Sequence, residues 1–269
     1  MSFLKKLLSP LKKKSSAQSN FSAAHLKEKD VFYSEDNLST NHNHDFAIEE
    51  RFLTAFKTYL DTPFQRENPG NHHGRWNIHV VLWAATHAVR LKSDIVQLGV
   101  FEGSEACAMA GYTDFASTQS TMYLVDTFEG VPEYQWSNAE RLAGADSAQW
   151  AYKKEAEKMD VFNYVRNKLK HYPNINVVKG VVPDVLTSIR SNAIGCLLLD
   201  LNCALPEIAA ANYLWDTVKT GGLIISDDYG HSRKGEGYIE QKIAFDNFAK
   251  SKNVEVLTLP TGHGLIIKP

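Results

Sequence analysis

From residue 94 to residue 268, short apolar runs alternate with stretches of helical spacing, and that alternation leaves few folds open. The runs are DIVQLGV, TMYLVD, NINVVKG, IGCLLLDL, GLIISDD, VEVLTLP and GLIIKP. The central ones are apolar at successive positions, as strands are when helices cover both faces of a parallel sheet. Helices are expected between them over Glu105 to Phe115, Ala148 to Leu169, Pro183 to Arg190, Pro206 to Val218 and Tyr238 to Ser251. The pattern predicts an α/β fold: a doubly wound, mostly parallel seven-stranded sheet with right-handed crossovers. The last two runs, separated by PTGH, read as a hairpin that makes the final strand antiparallel. Upstream, FAIEERFLTAFKTYL and WNIHVVLWAATHAVRLK are amphipathic and form an N-terminal helical extension over 45–92. His79 and His87 fall among the apolar residues of the second segment and read as core or interface histidines.

Residues 1–44 differ in kind. MSFLKKLLSPLKKK carries Phe3, Leu4, Leu7, Leu8 and Leu11 among lysines, broken by Pro10, and a polar linker follows. The segment reads either as a solvated tail or as a weak, peripheral contact with an anionic membrane surface through residues 1–14. The histidines of NHNHDF, two apart in polar sequence, read as ordinary linker residues. Residues 45–269 then form the domain, with 127–150, rich in Glu, Trp and Tyr, as a lid over its site. The net charge of −2 gives no reason to expect nucleic-acid binding. Cys107, Cys196 and Cys203 form no CxxC pair, which suits buried thiols in a reducing, cytoplasmic compartment. No apolar run has the length of about 18 residues that a membrane-spanning helix needs.

Ligands of such sheets bind beyond the carboxyl ends of the strands, so the residues that close each strand carry the chemistry. The first strand closes in QLGVFEGSEA, where Gly99 and Gly103 let the backbone pass close to a ligand before a helix begins. The spacing is not GxGxxG, which argues against a dinucleotide. The second strand ends in Asp126, placed either to accept hydrogen bonds from ribose hydroxyls or to cap the next segment. Asp200 closes IGCLLLD, and Asp227 and Asp228 close GLIISDD. Adjacent carboxylates repel unless one is protonated or a cation neutralises them. Three at neighbouring strand ends suit a hard divalent cation such as Mg²⁺.

In that order, DIVQLGVFEGSEA, YLVDTFEGVPE and LLLDLNCALPEIAAANYLWDTVKTGGLIISDDYG resemble the macrocin O-methyltransferase (TylF-type) family over about residues 75 to 268. These are class I enzymes with a Rossmann-like methyltransferase fold. The resemblance implies S-adenosyl-L-methionine and Mg²⁺ as cofactors and a sugar or glycosylated metabolite as the small-molecule acceptor. It implies that Asp200, Asp227 and Asp228 hold the metal. Gly99, Glu102, Gly103 and Ser104 would line the methionine end, Asp126 the ribose, and Lys179, Gly180 and Val181 the adenine. Self-association into a homo-oligomer is expected.

Transfer of a sulfonium methyl to a sugar hydroxyl needs the two aligned and the hydroxyl activated. His231, His263 and Asp200 are the candidate bases. Two positions depart from the family pattern: Gln97 stands where an acid is usual, and Asn202 replaces the second acid of the metal strand. A catechol-like diol acceptor uses the same metal logic, and a non-catalytic cofactor-binding relative would tolerate both departures.

Overall fold

The structure, a computed structural model, describes residues 33–70, 72–144, 150–230 and 239–269. Strands β1 (Tyr33–Glu35) and β2 (Leu38–Thr40) form a small antiparallel hairpin. The others are β3 (Asp94–Leu98), β4 (Met122–Asp126), β5 (Ile175–Lys179), β6 (Ile194–Leu199), β7 (Val218–Ser226), β8 (Leu257–Thr258) and β9 (Gly264–Ile267). They make one seven-stranded sheet in the order β5-β4-β3-β6-β7-β9-β8. Strands β3 to β7 are parallel, and β9 runs antiparallel to both β7 and β8. The closing strand therefore lies between β7 and β8.

The helices are α1 (Glu50–Leu60), α2 (Pro63–Glu67), α3 (Arg75–Arg90), α4 (Ser104–Tyr112), α5 (Asn138–Leu142), α6 (Trp150–Lys158), α7 (Val161–Leu169), α8 (Ala204–Leu214) and α9 (Ile239–Ser251). Alternation along each strand feeds two cores. Ile95, Leu124, Cys196, Leu198 and Ile225 pack beneath α1, α3, α4 and α7, with Phe52, Ile78, Met109 and Val165. Val96, Leu98, Val125, Leu197 and Ile224 pack beneath α8 and α9, with Leu214, Phe245 and Phe248. Phe52 and Phe245 are among the largest fully buried side chains, and truncating either to Ala would cost about 3–5 kcal/mol.

Register brings the site together. Leu98 pairs with Val125 and Leu199, and Leu199 pairs with Ser226. Asp126 pairs with Lys179. The residues one step beyond, Gly99, Asp126, Asp200 and Asp227, therefore emerge side by side at one edge. Because β9 is antiparallel and Gly264 pairs with Ser226, His263 reaches that same edge from the opposite direction.

Some elements depart from the sequence pattern. The expected helix Ala148 to Leu169 is broken, because the Asp160 side chain accepts from Asn163 N at 3.0 Å and caps a new start at Val161. Pro183 to Arg190 forms only a 3-10 turn at Leu186–Ser188, with Leu186 the one side chain in it that is fully buried. Val218 opens β7 instead of ending a helix. The expected tail and linker takes up structure at Tyr33, well before residue 44. Its hairpin supplies what the N-terminus of α3 lacks, since Gly74 at the N-cap has no side chain. Glu35 accepts from Arg75 N at 2.9 Å and Arg75 Nε at 2.8 Å, and the Tyr33 hydroxyl accepts from Trp76 N at 3.1 Å. The apolar lysine-rich segment 1–14 lies outside the described residues. His79 stacks on Phe46 with ring centroids 3.8 Å apart, and His87 Nε2 meets the Gly221 carbonyl at 2.8 Å. Both are structural.

Candidate active site

A cavity of about 420 Å³ opens at this edge of the sheet. Gly99, Ser104, Asp126, Gly180, Asp200, Asp227 and Asp228 line it, so the glycine loop and the carboxylates share one space. Gly99 has φ +90°, and a Cβ on it would lie 1.7 Å from the Asp200 carbonyl oxygen. Only glycine fits there. Gly103, at φ +74°, sets the N-cap of α4 and faces Val165.

Asp126 holds the loop as well as facing the cavity. Its Oδ2 accepts from Val100 N at 2.6 Å and Phe101 N at 2.8 Å, and its Oδ1 accepts from Phe128 N at 2.6 Å. Gly180 N donates to the Asp126 carbonyl at 2.9 Å. The remaining residues expected around a cofactor lie off the cavity wall. Glu102 is buried and accepts from Phe64 N at 2.9 Å, fastening α2 to the loop. Lys179 is exposed and paired with Glu129. Val181 is half-buried beside the lining residues Gly180 and Val182.

The carboxylate end is crowded. Burial, then Asp227 and Asp228, push the Asp200 carboxyl well above the usual range, and burial, then Asp227, does the same to Asp228. Asp228 is 6% exposed and its Oδ2 is buried with no hydrogen-bond partner. A 3-10 turn at Asp228–Gly230 starts where the adjacent aspartates require the chain to bend. Asn202 Nδ2 donates to Asp200 Oδ1 at 3.1 Å, so the residue in place of an acid steers Asp200.

His263 is 1% exposed and stands behind the site. Its Nδ1 meets Thr261 Oγ1 at 2.7 Å, and its Nε2 lies 3.0 Å from Asp227 Oδ1. It orients Asp227 and does not line the cavity. His231 lies outside the described residues.

The chain matches the family model for macrocin-O-methyltransferase (TylF) over residues 77–255. It belongs to that family. It is accordingly an S-adenosylmethionine-dependent O-methyltransferase. No curated protein sequence matches the chain. Among solved structures it is similar to the O-methyltransferase NovP, with a TM-score of 0.62 at 17% identity, over 83% of this chain and 98% of NovP. It is similar to the calicheamicin methyltransferase CalS11, with a TM-score of 0.54 at 13% identity, over 84% of this chain and 94% of that one. An O-methyltransferase from Bacillus cereus matches at 0.50 and 10% identity, over 82% of this chain and 91% of its own. At such identities these likenesses show the fold.

Within this methyltransferase, sequence reasoning overlooked His73 and Glu105. Both line the cavity, and with Asp227 they offer donor atoms that all lie within 4.8 Å of one another. Burial opposes charge on His73, but Asp227 and Glu105 outweigh it and raise its pKa. The local signal was the pair of histidines ahead of a helix in NHHGRW. The expected lid is fastened where it is described. Ser137 and Glu140 form a capping box, and Glu140 Oε1 also accepts from Ala204 N at 2.8 Å at the start of α8. The pattern SNAE was the readable sign of that box.

Proposed function

We propose that the enzyme methylates a hydroxyl of a sugar or glycosylated metabolite, with the cofactor at the Gly99–Asp126 end of the cavity and a divalent cation at the carboxylate end. One observation carries this: a single cavity is lined both by the loop that Asp126 organises and by Asp200, Asp227 and Asp228. The residues fit the cation, because burial and the neighbouring Asp227 raise the proton affinity of Asp200 and Asp228, and Asp228 Oδ2 has no partner. They fit the cofactor, because Gly99 leaves the backbone bare and Asp126 faces the space where a ribose would bind.

When bound, S-adenosylmethionine supplies an electrophilic methyl group, and a divalent cation lowers the pKa of a hydroxyl that it coordinates. The chain's own residues do the rest. Asp227, braced by His263, and Asp228 hold the charge of the site. Asp200, steered by Asn202, is the cavity carboxylate assigned to take the acceptor proton, since His263 is sealed behind Asp227. Phe101, Phe128 and Tyr152 line the wall as apolar side chains that exclude water. Family membership supports a sugar acceptor over a catechol. The buried, free cysteines suit a cytoplasmic setting, and the basic spacing of residues 1–14 supports a peripheral membrane contact. No described helix is long and apolar enough to cross a membrane.

The test is release of S-adenosylhomocysteine from a panel of nucleotide sugars, glycosides and catechols, with Mg²⁺ and with chelator. Metal-dependent turnover of a sugar is expected. Turnover confined to catechols would reject the acceptor, and failure to bind S-adenosylmethionine in calorimetry would reject the site.

A further inference from the structure

We propose that His73 and Glu105 join Asp227 in a mixed nitrogen and oxygen cation site, so that this enzyme prefers a first-row transition ion such as Mn²⁺ to Mg²⁺. The inference rests on the cation half of the proposed function and assigns the metal class and two ligands that the strand-end aspartates do not include.

The geometry is that of donors around a gap. His73 Nε2 lies 4.0 Å from Asp227 Oδ2, and His73 Nδ1 lies 3.8 Å from Glu105 Oε1. These separations exceed hydrogen bonding. Two donors each about 2.1 Å from one ion lie between roughly 3 and 4 Å apart, depending on the angle between them. One ion takes one imidazole nitrogen, so those two separations belong to alternative donors, and the set of one nitrogen and one oxygen from each acid, all within 4.8 Å, must close to roughly 4 Å to share an ion.

The outer contacts leave those donors aimed inward. Asp227 Oδ1 lies against His263, itself fixed by Thr261, and its Oδ2 is the oxygen set toward His73. Glu105 Oε2 accepts from Gln97 Nε2 at 3.0 Å, which leaves Oε1 toward His73. Such outer partners orient the ligands of a metal. They also give Gln97 a reason: an acid there would set a second carboxylate against Glu105, whereas the amide donates to it. The N-terminal hairpin and α1 complete the frame, because Gly74 N donates to Asp36 Oδ2 at 3.3 Å and His73 N to the Tyr59 hydroxyl at 3.1 Å. Nearby, the buried and unpartnered Asp228 Oδ2 lines the same cavity as a further oxygen donor. Carboxylate and water oxygens suit Mg²⁺ and Mn²⁺ alike, so the preference for the transition ion rests on the imidazole, a donor that Mg²⁺ does not favour.

The experiment is calorimetric titration of the full chain with Mn²⁺ and with Mg²⁺, paired with electron spin-echo spectra of bound Mn²⁺. At least tenfold tighter binding of Mn²⁺ and imidazole-nitrogen modulation in the spectrum are expected. His73→Gln should remove the modulation and bring the two affinities within about threefold, and Glu105→Gln should weaken Mn²⁺ more than Mg²⁺. Should His73→Gln fail to fold, the wild-type spectrum and Glu105→Gln still decide. Equal affinities in the wild type, or no nitrogen modulation, overturns the inference while leaving an oxygen-ligated Mg²⁺ site intact. Absence of binding by either ion overturns the inference together with the cation half of the proposed function, and S-adenosylmethionine titration then reports on the cofactor half alone.

Discussion

The Cα of Gly99 packs so tightly on the backbone of Asp200 that a Cβ would lie 1.7 Å from its carbonyl oxygen. The glycine loop after β3 and the carboxyl end of β6 are thus one rigid joint. Gly99→Ala must move one strand end or the other, and the positive φ alone costs about 1–3 kcal/mol. We expect a lower urea midpoint and loss of both cofactor and cation affinity. An unchanged midpoint would show that the joint is loose.

Asp126 serves the loop through three backbone N–H groups and, by proposal, the ribose. Asp126→Ala should weaken S-adenosylmethionine binding by about 1.5–3 kcal/mol, roughly ten- to a hundredfold, and should also lower stability as Val100, Phe101 and Phe128 lose their acceptor. Calorimetry on the folded variant separates the two effects. Unaltered affinity would confine Asp126 to the loop.

Asp228→Asn provides a crossing test. Without cation it removes like-charge repulsion, so in chelator the variant should melt at or above wild type. With the cation at a hundred times its dissociation constant, wild type gains about 2.7 kcal/mol that the variant loses, and the order reverses. Parallel melts check it. A variant less stable by the same margin in both buffers would mean that Asp228 only caps its turn.

The hairpin offers a pH test. Burial opposes charge on Glu35, but hydrogen bonds from Arg75 and its charge outweigh that and hold the carboxyl below its ordinary 4.5. A depressed acid stabilises the fold above its unfolded pKa, and that stability is lost as pH falls from about 4.5 through the folded value. Glu35→Gln should cost about 0.5–1.5 kcal/mol at neutral pH, and the gap to wild type should close in that acidic window. Urea titrations at both ends of the range measure it. A gap independent of pH would remove the ion pair from the account.

Truncation separates tail from domain. Deleting residues 1–32 leaves every described contact in place and should hold Tm within a few degrees, whereas deleting 1–44 removes the buried Tyr33 and the cap on α3. Calorimetric melts of both shortened chains decide, and an equal, small effect of the two deletions would mean that the hairpin is dispensable.

The strands were legible because their apolar runs sit at every position, and the strand-end residues were legible because register carries chain order into space. What stayed hidden depends on long-range contact. Nothing local to YSEDNLST announces that Tyr33 and Glu35 cap a helix some 40 residues on. His73 sits in a polar turn, and only the fold sets it against Glu105 and Asp227. His263 was singled out as a base, and sequence alone could not say that β9 enters the sheet beside β7 and seals its imidazole behind Asp227. Glu102, next to Gly103, read as a cofactor contact but turns to hold Phe64 N.

Because β9 lies between β7 and β8, the sheet is finished by its last strand, which also carries the support of Asp227 through His263. Whatever follows it, β9 leaves the ribosome after every other strand of the sheet. Until then β7 exposes an open edge, and the carboxylate that follows it lacks the His263 contact. Order of synthesis therefore makes assembly of the carboxylate end of the cavity coincide with closure of the sheet, so that a nascent chain gains its glycine loop well before it gains a complete cavity.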